Sequence, residues 1–255
     1  MTGLDQALKG KRALVTGGSR GVGRATVELL ARAGAHVGIS YHRRADEAQR
    51  VTEEARARGV RSWAEGGNLA DREAVDRLFD RVDAEFGELD IFIGNAGIWP
   101  VPDVPVAEMA DERWHGTVAV NLDSIFFTTR AALQRMNDDG RVVLVSSTAG
   151  QRGEAFHSDY AATKGAIISL VKGLCVEVGR RGITVNAVAP GWIDTDMSRD
   201  ALDGPGRAAI DDAIPLGRVA TAEDIAGPIV LLCLPLARHI TGEILNVNGG
   251  AVLVG

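Results

Sequence analysis

The sequence predicts an α/β fold: a doubly wound parallel sheet of about seven strands with helices on both faces. Three observations carry this. Short apolar runs alternate with stretches of helical apolar spacing along the chain. The runs are apolar throughout, and a glycine-rich turn closes the first of them. Strands apolar on both faces and separated by helices pair in parallel, because each right-handed crossover lays its helix on the sheet.

The first strand is "RALVTGG" (12 to 18), followed by the helix "VGRATVELLARAG", whose apolar spacing is helical and whose last glycine is a stop. "AHVGISY" precedes the helix "ADEAQRVTEEARARG", and "RSWAEGGN" precedes "DREAVDRLFDRVDAEFG". In this third helix Ala74, Val75, Leu78, Phe79, Val82 and Phe86 make one stripe, Asp71 suits the start, and Gly87 suits a left-handed residue past the end. "DIFIGNAG" leads to a long helix near 111 to 136, and "RVVLVSS" to another near 158 to 180. "ITVNAVAP" and "EILNVNGG" are the last two strands, separated by a helix begun at "TAED". No linker, repeat or low-complexity segment breaks the alternation, so one domain over 1–255 is expected.

Composition excludes other classes. The 255 residues are 45% apolar and 24% charged, enough for one sizeable core. The longest apolar run, "IVLLCLPLA" (229 to 237), is far short of the ~20 residues of a membrane span, and the N-terminus has no apolar signal core. Cys175 and Cys233 lack metal-ligand spacing and read as packed thiols, so a cytoplasmic protein with no metal is expected. A net charge of −6 and a pI near 5.4 speak against nucleic acid.

In this fold chemistry collects where strand order reverses, beyond the carboxyl ends of the strands. "TGGSRGVG" (16 to 23) lies there. Gly17, Gly21 and Gly23, with Ser19, Arg20 and Val22 between them, let the backbone approach a pyrophosphate at a helix N-terminus. The second strand ends in "SYHRR", without the acid that would bond the ribose of NAD. Tyr41, His42, Arg43 and Arg44 stand there instead, and a guanidinium matches a 2′-phosphate, so NADP(H) is predicted over NAD(H). The alternative is that these arginines only cap a solvated helix.

Several separated motifs together resemble the short-chain dehydrogenase/reductase family: "TGGSRGVG", "NAG" at 95 to 97, "VNL" at 120 to 122, Ser147 thirteen residues before Tyr160, "YAATK", "ITVNAVAPGWIDTDM" and "ITGEILNVNGG". The resemblance covers nearly the whole chain and is nearest to the 3-oxoacyl-carrier-protein reductase type. It implies a Rossmann-type domain, an oxidoreductase acting on a ketone or secondary alcohol, and a homotetramer or dimer. Asn68 and Leu69 fall where the family contacts adenine. Asn95, Ala96 and Gly97 wall the nicotinamide and adenine-ribose side; pinning neighbouring strands is an alternative or additional role for Asn95. Pro190, Gly191, Ile193 and Thr195 meet the carboxamide.

A ketone accepting hydride needs a proton donor and a second hydrogen-bond donor for its oxygen. Tyr160 is the expected acid; Lys164, one turn on, is the ammonium that together with the cationic oxidised nicotinamide lowers the phenol's pKa, and it also bonds the nicotinamide ribose. Ser147 is expected to hold the substrate oxygen, with Ser146 pointing to the opposite side. The resemblance gives Asn121 a helix irregularity that holds a water near Lys164.

The substrate lid is expected near 194–216. Trp99, His157 and Trp192, with Phe156, either shape the pocket or pack in the core. Asp138 and Asp139 stand where carrier-dependent reductases often present basic residues, which favours free ketones or coenzyme A thioesters over an acidic carrier. Small residues at Ala161, Gly165, Ser169 and Gly173 suggest close packing across subunits. The competing readings are another alcohol, sugar or polyketide-type dehydrogenase and a non-enzymatic NADP(H) sensor, which an intact Tyr160 and Lys164 disfavour.

Overall fold

The computed structural model describes residues 4–203 and 206–254. Seven parallel strands form one sheet in the order β3-β2-β1-β4-β5-β6-β7. They are β1 (Arg12–Val15), β2 (His36–Tyr41), β3 (Ser62–Gly66), β4 (Leu89–Gly94), β5 (Met136–Val145), β6 (Thr184–Pro190) and β7 (Ile244–Val247). The helices are α1 (Gly21–Arg32), α2 (Ala45–Ala57), α3 (Arg72–Glu85), α4 (Asp111–Val118), α5 (Ser124–Arg135), α6 (Thr148–Arg152), α7 (Ser158–Val178), α8 (Arg199–Leu202), α9 (Gly206–Asp212) and α10 (Ala222–Cys233).

The period of two along each strand divides the core. Ala13 and Val15, Ile91 and Ile93, Val143 and Val145, and Val188 join a cluster with residues of α1, α2 and α10. Their neighbours Leu14, Phe92, Val142, Leu144, Val185 and Ala187 join a second cluster with α3, α5 and α7. Both sheet faces are therefore covered by apolar packing, which leaves the strand ends for ligand-binding groups. Order reverses between β1 and β4, which fixes the crevice there.

Local signals explain several boundaries. Asp71 occupies the N-cap of α3 without a side-chain capping bond, and Gly87 takes φ +75° just past its end. Thr221 and Asp224 form a reciprocal capping box at α10, as "TAED" suggested. The helix expected near 111 to 136 is divided: α4 and α5 are joined by a π-helical turn at Ala119–Asp123. β5 begins earlier than "RVVLVSS" suggested, at Met136, and slips register against β4 between Leu89 and Ile91. The slip accommodates Asp139, whose φ is +59°.

The expected lid segment near 194–216 is described at residues 194–203 and 206–216. It carries α8 and α9, and Leu202 and Ile214 bury against Val219 in a small core of their own. Among the described residues no helix is long and apolar enough to cross a membrane, and no His, Cys, Asp and Glu group is arranged to hold a metal ion. Cys233 is buried, which pushes its thiol up to about 12.

Candidate active site

The turn after β1 is shaped by close backbone approach. A Cβ on Gly23 would lie 2.2 Å from the Gly17 carbonyl oxygen, so no other residue fits there without moving the turn. Gly17 and Gly21 take φ of +67° and +51°. Ser40, at the end of β2, fixes the turn from one side: its hydroxyl accepts from Gly17 N at 3.2 Å and its carbonyl from Gly18 N at 3.0 Å. From the other side Asn95 Nδ2 donates to the carbonyls of Thr16 (2.9 Å) and Gly17 (3.2 Å). Thr16 Oγ1 accepts from the backbone N–H groups of Asn95 and Ala96 at 2.9 and 3.0 Å. Asn95 thus pins the β1 turn to the end of β4.

α1 begins behind this turn with Arg20 at its N-cap, no side-chain cap and no acid in its first turn. Its leading N–H groups and the positive end of its dipole therefore face the crevice uncompensated, an arrangement that suits a phosphate. Tyr41, His42, Arg43 and Arg44 end the neighbouring strand, and none is acidic. The Tyr41 ring crosses β3 at Gly66, where an added Cβ would lie 2.9 Å from its Cζ. His42 and Arg43 are exposed. Arg20 donates to Asp196 at 3.1 Å, Arg44 pairs with Glu47 at 3.0 Å, and Asp196 lies 4.0 Å from Arg44. This grip of a flap carboxylate on basic residues of the crevice has no local sequence signal. The Arg20 bond holds the Asp196 carboxyl below the usual range. A cleft of about 290 Å³ opens here between Gly21 and the flap residues Asp194, Thr195, Asp196 and Arg199.

Three of the expected contact residues pack against the cores. Val22 and Leu69 are buried in the two cores, and Ile193 packs against the α1/α10 core while pairing with Ala220, since their apolar groups gain more from burial. Asn68 keeps its Oδ1 on Ala70 N at 3.3 Å. Gly191 follows Pro190 at the end of β6, where a Cβ would meet that of Asn248 at 3.0 Å. Thr195 approaches the glycine turn, its methyl 3.5 Å from the position of a Cβ on Gly21.

Tyr160 and Lys164 share one face of α7, and the ammonium lies 5.6 Å from the centre of the phenol ring. Lys164 is almost fully buried and donates to the Val145 carbonyl at 2.9 Å. Burial pushes it down to about 8. Tyr160 is buried as well, and desolvation pushes the phenol up to about 12; the Ser147 hydroxyl pulls it down and Glu154 adds to the rise. The chain alone therefore does not produce the expected lowering, because desolvation outweighs the Ser147 hydrogen bond and the Lys164 ammonium is directed at a strand carbonyl.

Ser146 and Ser147 diverge. Ser146 Oγ donates to the Lys164 carbonyl at 2.8 Å, toward α7, whereas Ser147 faces the phenol and accepts from Ala149 N at 3.1 Å, capping α6. Asn121, fully buried in the π turn, bonds Ile98 twice: Oδ1 accepts from its N–H at 2.8 Å and Nδ2 donates to its carbonyl at 2.9 Å. Asn121 Oδ1 and Lys164 Nζ lie 3.1 and 3.5 Å from where Gly97 would carry a Cβ, so Gly97 admits both.

The aromatic residues divide. Trp99 stacks on His157 with centroids 3.9 Å apart and meets the Tyr160 ring edge-on at 4.7 Å. His157 stands at the N-cap of α7 without capping it and is buried. Trp192 and Phe156 are exposed and make no ring contact with Tyr160 among the described residues. Of the pocket residues expected from sequence, Trp99 meets the phenol and His157 stacks on Trp99 behind it. Asp138 pairs with Arg181 at 2.9 Å at the opening of β5, the opposite end of that strand from Ser147. The acidic pair therefore does not flank this site within one protomer.

A family model described as enoyl-(acyl carrier protein) reductase matches residues 17–252. The 3-oxoacyl-[acyl-carrier-protein] reductase FabG of Escherichia coli is 40% identical over 248 residues, 96% of this chain and 99% of the relative. A short-chain dehydrogenase/reductase of Serratia marcescens superposes with a TM-score of 0.90 at 36% identity, covering 96% of this chain and 99% of that one. A short chain dehydrogenase of Burkholderia cenocepacia, solved in complex with NADP, gives a TM-score of 0.90 at 38% identity over 96% of this chain and 99% of that one.

Proposed function

The chain belongs to the short-chain dehydrogenase/reductase family of oxidoreductases, and from that premise we propose that it is an NADP(H)-dependent reductase of 3-oxoacyl thioesters or related ketones. The observation that carries this reading is the meeting of Ser147, Tyr160 and Lys164 beside the crevice where strand order reverses. The nicotinamide, when bound, supplies or accepts the hydride. Everything else falls to side chains of this chain.

Tyr160 is the acid. With its pKa pushed up to about 12 it is fully protonated near neutrality, the state that a reduction requires. Ser147 gives the carbonyl oxygen its second hydrogen bond, and the two donors favour the developing alkoxide over the ketone. This pairing of donors suits a carbonyl better than the enoyl double bond in the family model's description. Lys164, with a pKa near 8, is largely cationic at neutral pH, so its charge offsets that of a phenolate. Asn121 holds the backbone at Ile98 and so the turn that carries Trp99.

For the cofactor, the uncapped start of α1 and the glycine turn would hold the pyrophosphate, and Arg20 and Arg43 the 2′-phosphate. Arg43 is exposed and has no ion pair among the described residues. Ser19, Tyr41, His42, Asn68, Asn95, Ala96, Gly97, Pro190, Gly191 and Thr195 complete the dinucleotide site. The relative's name and the NADP in the Burkholderia structure support the substrate class and the cofactor. A homotetramer or dimer is supported by exposed apolar side chains on α5 and α7, Phe126 at 45% and Val176 at 79% exposure. Sedimentation as a monomer would overturn that assembly.

The test is NADPH consumption with acetoacetyl-coenzyme A, with an acidic acyl carrier added or absent, and with a bulky cyclic ketone, using Tyr160→Phe as control. Thioester turnover lost in the variant supports the assignment. Turnover of the cyclic ketone alone reassigns the substrate, and NADPH binding without turnover favours a sensor.

A further inference from the structure

Trp99 and His157 come from different loops, the one after β4 and the one before α7, yet they stack against each other beside Tyr160. One guanidinium joins those loops. Arg113, on α4, donates from Nη1 to the Pro102 carbonyl, from Nη2 to the Phe156 carbonyl at 3.4 Å, and from Nε to Asp159 Oδ2 at 3.1 Å. Thr117 Oγ1 adds a bond to the same oxygen at 2.8 Å. Asp159 immediately precedes Tyr160, and its side chain has no exposed surface. A direct backbone bond, from Val104 N to the Phe156 carbonyl at 3.1 Å, runs alongside.

We propose that Arg113, held in place by the buried Asp159 carboxylate, is a positioning residue that sets the Trp99–His157 wall of the substrate pocket against Tyr160. The inference rests on the reductase reading for its kinetic consequence but not for its structural one. Three acceptors in three directions call for the planar fork of arginine; a lysine ammonium on a flexible stem cannot serve all three. Burial alone would raise the Asp159 carboxyl, but the bonds from Arg113 and Thr117 outweigh it and hold it below the usual range. The lowered carboxyl favours the ionised form that pairs with the guanidinium. Neither Arg113 nor Asp159 touches the reacting carbonyl, so their loss acts on how the ketone seats, through Trp99.

Two variants separate positioning from mere stability. Arg113→Lys is expected to raise the ketone KM about tenfold while kcat and NADPH affinity stay within about threefold. Trp99 emission, taken as the difference from the matching Trp99→Phe protein, is expected to change as the stack on His157 loosens. The apolar pair Arg113→Met with Asp159→Leu removes both charges, and its melting temperature is expected to return close to wild type. Its KM and Trp99 emission stay altered, because the Pro102 and Phe156 carbonyls have lost the guanidinium that joined them. Unchanged KM and emission in Arg113→Lys, or recovery of both along with stability in the apolar pair, overturns the proposal. A wild-type protein that reduces no ketone sinks the reductase reading instead, and Trp99 emission then decides the clamp alone.

Discussion

Lys164 Nζ lies 2.9 Å from the backbone carbonyl of Val145, the last residue of β5, so the buried lysine is anchored to the sheet edge and not to the phenol four residues before it. The anchor fixes where the ammonium sits, and burial makes its charge costly.

A pH-dependent stability follows. The lysine keeps its proton up to about 10.5 when unfolded but only to about 8 when folded. Between pH 8 and 10 the unfolded chain binds more protons, so stability rises with pH across that window. Relative to Lys164→Met, the wild type is expected to gain on the order of 2 kcal/mol from pH 8 to pH 10, read from paired thermal melts. A pH-independent difference between the two proteins would contradict the buried, depressed lysine.

The crossing of α6 over α7 is as tight as backbone allows. A Cβ on Gly150 would fall 2.5 Å from the Lys164 carbonyl carbon and 2.7 Å from Gly165 N, and one on Gly165 would fall 3.2 Å from the Gly150 carbonyl oxygen. Gly165 is thus used inside the protomer, although its small size had suggested packing between subunits; Gly173 meets nothing within 4 Å. Gly150→Ala is expected to cost roughly 1–3 kcal/mol and to lower kcat, because it separates Ser147 from Lys164. Calorimetry and turnover check it, and wild-type values for both would show that the helices can part freely.

Arg20 and Asp196 make the cofactor prediction sharper. A dinucleotide phosphate must compete with a carboxylate 3.1 Å from the guanidinium. Arg20→Ala is expected to weaken NADPH about tenfold and NADH little, whereas Asp196→Asn tightens NADPH roughly threefold. Fluorescence titrations with both nucleotides decide: equal losses for NADPH and NADH would move Arg20 from the 2′-phosphate to the pyrophosphate.

At the other end of the sheet Asp90 accepts from Arg12 N and Nε at 2.9 Å each, from Asn137 Nδ2 at 3.1 Å and from Lys11 Nζ at 3.2 Å. Burial alone would raise its pKa, yet these bonds, led by Arg12, hold it at about 2. Its stabilisation is present above pH 4 and is lost as pH falls toward 2. Asp90→Asn is expected to destabilise by about 2 kcal/mol at pH 7, with the gap to wild type closing in acid melts below pH 4. A constant gap would rule out the ionised carboxylate as its source.

What the sequence by itself determined is everything written in local periods. Alternation along β1 and β5, the Gly17–Gly23 turn, the i,i+4 placement of Tyr160 and Lys164 and the divergence of Ser146 from Ser147 all follow from two, 3.6 or a φ that only glycine takes easily. Tertiary structure decided the rest. Nothing near Arg113 names its partner 46 residues away, nothing near Asp196 points to Arg20, and Val22, Leu69 and Ile193 reveal their packing against the cores only once the sheet and its helices enclose them. The direction of the Tyr160 shift belongs to the same class: spacing places a cation beside the phenol, but desolvation depends on how many atoms of other elements surround it, and that is known only when the chain has closed around it.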